Sequence, residues 1–351
     1  MAVQLTILPV NVEPKPDELF SSWLFRLADG NFSKAHTFCR FHLPGYNIWN
    51  RDIDKLAPDN MLKRLSLLTE VDLDRLYQTT LRSFEGKLFS RCNANGNQKW
   101  VLALGIFHRT RKATGLQFCP KCLIDDGDEP YFRKSWRLAL NVACPRCHIL
   151  LHDACPHCES PVTFFRNEIG YKHSSLKHPL YICYKCKGDL RQAFRYPPRL
   201  GVVSFQKRLG SYIESLDAGG RVSVEYFNTL HQLLKILRSR TRFFKKFQAN
   251  IFNYEGLAQE ETIEYRDFEK STVLYRERLM KCAVWILDNW PARFIELCKE
   301  TKLSTNYLIK DFKDMPSWFK EVAEGHLRQP DAATLSLTRK KAKLSGQKTR
   351  K

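Results

Sequence analysis

The 351-residue chain has no uncharged apolar run approaching the ~18 residues that a membrane-spanning helix needs, which excludes a helical membrane protein. The opening residues, Met1 to Pro9, lack a basic segment ahead of an apolar stretch. No secretory signal is therefore expected, and the reading is a cytoplasmic, nucleoid-associated protein. Acid is in short supply, with 37 Asp+Glu against 57 Lys+Arg and a formal charge of +20. That deficit calls for an anionic partner. Without a basic amphipathic anchor of clean apolar face, nucleic acid is favoured over a membrane surface. Internal repeats are absent too, and so is a carboxylate cluster of the kind a metal-dependent nuclease uses. No enzyme is expected.

What is present supports a folded, multidomain chain. Apolar residues make up 43%, which excludes global disorder, and the length suits two or three domains. The 12 cysteines, in a protein expected to keep its thiols reduced, point to metal before disulfides.

The chain reads as mainly α. Leu19, Trp23, Leu24 and Leu27 make a helical face that Gly30 ends, and Phe38, Phe41 and Leu43 mark a second helix stopped by Pro44-Gly45. Leu62, Leu65 and Leu68, a short turn, then Leu73 and Leu76 have the spacing of a helix–turn–helix. Ser66, Glu70 and Leu76 take its small, turn and apolar positions, with Glu70 where glycine is usual. Cys298, Lys302 and Leu308 repeat that spacing near the end, where Ser304 would cap a helix exposing Thr305, Asn306 and Lys310. These signals divide the chain into an N-terminal helical domain (1–90), a linker (91–118), a Cys-rich domain (119–195), a C-terminal helical domain (196–335) and a basic disordered tail (336–351). Within that tail, Arg339 to Lys351 hold seven basic residues and no acid, a composition able to track phosphates. A second basic run, Lys235, Arg238, Arg240, Arg242, Lys245 and Lys246, is interleaved with Phe243, Phe244 and Phe247.

Four C-x-x-C pairs fall within 68 residues: Cys119/Cys122, Cys144/Cys147, Cys155/Cys158 and Cys183/Cys186. Two residues between thiolates let a tight knuckle offer both sulfurs to one tetrahedral ion, and two knuckles complete the set. Pairing in order gives two structural zinc sites, Cys119, Cys122, Cys144 and Cys147, then Cys155, Cys158, Cys183 and Cys186. Interleaved pairing stays open at this point, as do substitution of Cys147 by the adjacent His148 and interference from His152 or His157. Rival motifs fail on context. Cys144-x-x-Cys147-His148 has the form of a haem attachment but leaves three pairs unexplained, and no H-x-E precedes the pairs as a zinc deaminase requires. Cys39, Cys92, Cys282 and Cys298 stand alone and read as packed thiols.

The run Phe118-Cys119-Pro120-x-Cys122-Leu123, with Asp125, Pro130-Tyr131-Phe132-Arg133 and Trp136-Arg137-Leu138-Ala139, resembles the zinc region of TniQ/TnsD-type transposition proteins. Cys144-Pro145, Leu150-Leu151, Cys155-Pro156-His157-Cys158 and Cys183-x-x-Cys186 continue it, and Glu18 to Ala28 is similar to the family's opening helix. The likeness covers roughly residues 10–190, with one departure: the family often has His where this chain has Cys147. It implies a target-selection adaptor without catalysis, which binds DNA or a CRISPR effector complex already on its target. Such an adaptor recruits an AAA+ ATPase of the TnsC/TniB type, and a homodimer is compatible with that role. Candidate DNA contacts are Arg26, Arg133, Arg137, Arg238, Arg240, Arg242, Lys245, Lys246, Thr305, Asn306 and Lys310. The alternative is a stand-alone, sequence-specific regulator or attachment-site binder.

Overall fold

The structure is a computed structural model that describes residues 6–108, 110–169, 179–215, 221–254, 267–309 and 312–327. Lys310 and the basic tail lie outside the described residues, as does most of the acidic stretch from Glu255. The chain divides into two compact units, Met1–Phe227 with Ile263–Val284, and Asn228–Thr262 with Trp285–Lys351.

The first unit opens with α1 (Phe20–Gly30) and α2 (Ala35–His42), then α3 (Ile53–Leu56), α4 (Asp59–Thr69) and α5 (Leu73–Gln78). Phe20, Trp23, Leu24, Leu27 and Ala28 fall at i, i+3, i+4, i+7 and i+8, and all are buried. The Trp23 indole donates to the Val12 carbonyl at 2.7 Å and so pins the extended N-terminal stretch across α1. Between α4 and α5, Glu70 takes the left-handed conformation (φ +58°) at the position where the spacing places the turn. The Ser66 hydroxyl closes that turn on the Val71 carbonyl at 2.7 Å, and the Asp72 carboxylate caps α5.

Residues 91–118 are not a linker. Trp100, Val101, Leu102, Leu104, Leu116 and Phe118 are all buried, and the Trp100 carbonyl accepts from the Ala139 amide at 2.7 Å. A two-stranded hairpin, β1 (Ile106–Phe107) and β2 (Thr110–Arg111), projects from this segment. Next come α6 (Pro120–Asp125) and a Cys-rich block built of turns, isolated bridges and short 3₁₀ segments. This block is not a separate domain either. Phe164 packs on Phe25 of α1 (5.5 Å, edge-on) and stacks on Phe132 (5.1 Å), so the N-terminal helices and the cysteine block share one core. The expected boundary at residue 196 also moves. Helix α7 (Val202–Ser215) lies in the first unit, where the Gln206 amide bonds Val142 and Ala143 beside the cysteines.

Helices α8 (Arg221–Leu237), α9 (Lys245–Tyr254), α10 (Val273–Leu287), α11 (Ala292–Thr301), α12 (Thr305–Ile309) and α13 (Ser317–Leu327) complete the order. In the first unit, the fully buried Arg276 of α10 donates to the Ala139 carbonyl (2.7 Å) and the Gln117 side chain (2.8 Å). In the second unit, Leu230, Leu234 and Leu237 form a buried stripe, and Phe247, Phe294, Leu297 and Phe319 are buried with them. Lys302 (φ +53°) ends α11 with a paired closure, Leu303 N–H to Cys298 carbonyl (2.9 Å) and Lys302 N–H to Lys299 carbonyl (3.1 Å). This Schellman arrangement satisfies the last carbonyls with a lysine standing where glycine is usual.

Buried charge concentrates at Arg137, which is fully enclosed. Its guanidinium spans Asp52 (2.8 and 3.1 Å) and Asp54 (2.9 Å) and donates to the Leu102 carbonyl. Asp54 also accepts from the Ser21 amide at 2.8 Å, which ties α1 to the same cluster. Burial pushes the Asp54 carboxyl up to about 6, against the pull of Arg137. Removing the guanidinium would strand two buried carboxylates, so Arg137→Ala should cost about 3–5 kcal/mol in urea unfolding. The sign for pH follows from the raised folded value. Below pH 3.8 the carboxyl is protonated in both states, and its contribution is lost as pH rises towards about 6. Asp54→Asn should therefore flatten the stability–pH curve across that window, measured by denaturant midpoints.

Candidate metal centres and nucleic-acid face

The eight paired cysteines form two tetrads, each with all four sulfurs within 4.8 Å of one another. Cys122 Sγ lies 3.6 Å from Cys144 Sγ and 3.5 Å from Cys147 Sγ. In the second tetrad, Cys155 to Cys186 is 3.6 Å and Cys158 to Cys183 is 3.7 Å. Four sulfurs at about 2.3 Å from a tetrahedral ion stand about 3.8 Å apart, so both sets fit a four-thiolate metal site. Pairing runs in order along the chain, not interleaved.

Three knuckles share one local geometry. The residue after the second cysteine is left-handed in each: His148 (φ +55°), Glu159 (+56°) and Lys187 (+61°). Its amide donates back to the carbonyl of the first cysteine at 2.9–3.0 Å. The fourth knuckle differs. Cys119 is the N-cap of α6 with Pro120 at the first helical position, so its sulfur accepts from the Cys122 amide at the helix N-terminus, an end whose dipole would favour a metal-bound thiolate. Gly188 packs so closely on His157 that an added Cβ would sit 2.3 Å from its ring, which locks one knuckle of the second set against the other.

The competing histidines are engaged elsewhere. His148 Nε2 pairs with Lys207 Nζ at 2.9 Å, His152 Nε2 with the Phe194 carbonyl at 2.7 Å, and His157 Nε2 with the Asp189 carbonyl at 3.3 Å. Cys147 supplies the fourth sulfur of the first tetrad. Of the lone cysteines, Cys39, Cys282 and Cys298 are buried, and burial pushes the Cys39 thiol up to about 12. Those three are packed thiols.

The candidate cations separate into two groups. Arg26, Arg133 and Arg137 belong to the fold. Arg26 pairs with buried Glu18 at 2.7 Å, and Arg133, itself 5% exposed, holds Asp126 through two bonds of 2.6 Å. Arg137 is consumed by Asp52 and Asp54. These guanidinium groups are closed to phosphates in this fold. The sequence offers an ion pair with Asp125 or Asp126 as the alternative to phosphate contact for Arg133 and Arg137: Asp126, 7 residues away, does pair with Arg133, whereas the partners of Arg137 stand 85 and 83 residues away, beyond the reach of local pattern.

The second group lies on the second unit. Lys235, Arg240, Arg242, Lys245 and Lys246 are exposed and Arg238 is half-buried. Phe244 and Phe247 turn inward, while Phe243 remains 39% exposed and stacks on Tyr307 of α12 (4.0 Å, 20° between planes). The basic run therefore adjoins the second helix–turn–helix, with Lys302 and Asn306 exposed beside it. Thr305 is turned inward: it is 7% exposed, and its hydroxyl donates to the Ala323 carbonyl at 3.2 Å. Helix α5 of the first helix–turn–helix carries a different charge pattern. It presents Asp72 and Asp74, and its Arg75 is tied to Glu13 at 2.8 Å.

Residues 9–151 match the TniQ family. The chain carries a TniQ domain. The matched segment takes in α1 to α6 and the first cysteine tetrad, and the second tetrad lies beyond it. A TniQ domain marks a transposition-associated protein. No curated protein matches the chain. Among the described residues, no helix is long and apolar enough to cross a membrane.

The two tetrads differ in exposure. In the first, Cys119, Cys122 and Cys144 are buried within the shared core, whereas the second has Cys186 exposed and Cys158 half-buried. Chelation should therefore be biphasic, with the second site emptied first. Cys183→Ser should leave about one metal ion per chain with the N-terminal helices folded, because each tetrad needs its own four ligands. Cys119→Ser should abolish the cooperative unfolding of the first unit. Metal analysis alongside circular dichroism checks both.

Proposed function

We propose that this protein is a non-catalytic adaptor of transposition. In this reading the second unit binds target DNA, and the protein recruits an AAA+ ATPase of the TnsC/TniB type. The observation that carries it is a TniQ domain in the same chain as an exposed basic face, Arg240 to Lys246, set against a helix–turn–helix. Exposed guanidinium and ammonium groups bind phosphates without regard to sequence, while a helix such as α12, with Asn306 outward, suits a base edge.

The metal we assign to both tetrads is zinc, since four thiolates in tetrahedral array suit a closed structural zinc site. Four sulfurs fill the coordination shell and leave no place for an activated water. Asp54 is buried and the cavity it borders is only about 20 Å³, too small for a substrate, while the Asp52 carboxylate is held by the Arg137 guanidinium. Neither feature offers a catalytic centre, which supports an adaptor. A CRISPR effector complex on DNA, or a second copy of the chain, fits the same role as a partner.

The test pairs two measurements on the zinc-loaded protein. Arg242→Glu with Lys245→Glu should weaken duplex binding and lower the salt slope by about 0.9 for each phosphate no longer neutralised. The wild-type protein should also co-sediment with the transposon's AAA+ ATPase on DNA. Unchanged duplex affinity in the double variant would remove the DNA face, and failure to bind the ATPase would remove the adaptor role. The stand-alone regulator instead predicts one sharply enriched sequence in a genomic binding selection and no ATPase association.

A further inference from the structure

The segment expected to be a linker builds a second cationic feature, on the first unit. Hairpin β1–β2 pairs Ile106 with Arg111 and Phe107 with Thr110. Its base is drawn tight by glycine. Gly105 adopts φ +54°, and a Cβ on Gly115 would lie 2.2 Å from the Ala103 carbonyl oxygen, so neither position accepts a side chain without displacement. The Arg111 guanidinium sits 5.0 Å from the Phe165 ring centroid and is half-buried, anchoring the hairpin to the core. The other face is open. Phe107 is 55% exposed, and the Lys112 ammonium lies 4.1 Å from its ring centroid.

At the foot of the hairpin lies a cavity of about 400 Å³. Arg51, Lys55, Lys112 and Lys270 line it, with Asn95 and Asn97, and the Asn97 amide also donates to Asp267 at 3.4 Å. One acid, Asp52, also borders it, and Arg137 already binds that carboxylate. Lys270 pairs with Asp267 at 3.0 Å. Lys55 is 6% exposed and donates to the Gly96 carbonyl at 2.8 Å, which fixes the Asn/Gly-rich loop as the cavity wall. Arg51 and Lys112 are exposed at the rim.

We propose that this hairpin and cavity bind single-stranded nucleic acid. Cations along a groove track the phosphates, an exposed aromatic with a cation over its face stacks a base, and amides meet base edges. In this proposal one strand enters the cavity, a binding mode distinct from the duplex contact proposed for the second unit. The proposal does not depend on the ATPase or on the duplex contact.

Full-length zinc-loaded protein is titrated with labelled dT and rU strands of about 12 nucleotides, within the range that single-strand sites cover. A duplex of equal length is run alongside. Arg51→Glu with Lys112→Glu should weaken strand binding by about tenfold or more, and should lower the salt slope by about 0.7 for each phosphate no longer neutralised, with duplex affinity retained. Arg242→Glu with Lys245→Glu should do the reverse. Photocrosslinking of 5-iodouracil strands to the unmodified protein should map to Phe107 or its neighbours, a readout that no folding defect can mimic. Crosslinks confined to other segments overturn the proposal, as does equal strand affinity in wild type and the Arg51/Lys112 variant. The dT and rU arms distinguish a DNA strand from an RNA strand.

Discussion

Eight thiolates hold together the least regular part of this molecule. Among the described residues from Cys119 to Cys186 the chain forms one short helix, scattered bridges and 3₁₀ turns, so helical or sheet hydrogen bonding contributes little to them. A chain of that kind loses backbone entropy on folding with few local bonds to offset it. Binding energy from two tetrahedral ions can supply the difference, because the sites exist only in the folded state. Everything the TniQ segment positions rests on this. Phe118, Phe132 and Phe164 fill the core between the first tetrad and α1, and the first cysteines are themselves core residues.

Around that cysteine-rich block, charge is divided by burial. A chain of +20 spends part of its arginine internally: Arg137, Arg276 and Arg133 join loops that have no ladder between them. Guanidinium suits this because its planar fork satisfies several carbonyls or a carboxylate at once. The cations left outside then decide the electrostatic character of the surface. Lys235, Arg240, Arg242, Lys245 and Lys246 lie outward on the second unit, and Arg51 and Lys112 lie outward on the first.

Much of the local structure was legible along the chain. The C-x-x-C spacing identified the members of both cysteine tetrads because a knuckle is a local structure, complete within a few residues. Both helix–turn–helix spacings placed the turn residue correctly, at Glu70 and Lys302, and both adopt the left-handed conformation without glycine. Leucine and aromatic periodicity found α1 and α4. Misreadings arose where local composition and tertiary role diverge. The Asn/Gly run at 93–97 looks like a linker, yet it leads into Trp100, which is fully buried. Arg133 and Arg137, four residues apart, look like phosphate ligands until Asp126, Asp52 and Asp54 are brought against them.

The sequence by itself determined the two cysteine tetrads, the helix faces and the excess of positive charge, since each depends on spacing or counting along the chain. Tertiary structure decided which cations remain outside, which histidines are taken by backbone carbonyls or Lys207, and which tetrad lies open to solvent. These depend on partners distant in sequence. The free energy of a buried charge is set by its partner in space, which no local pattern encodes.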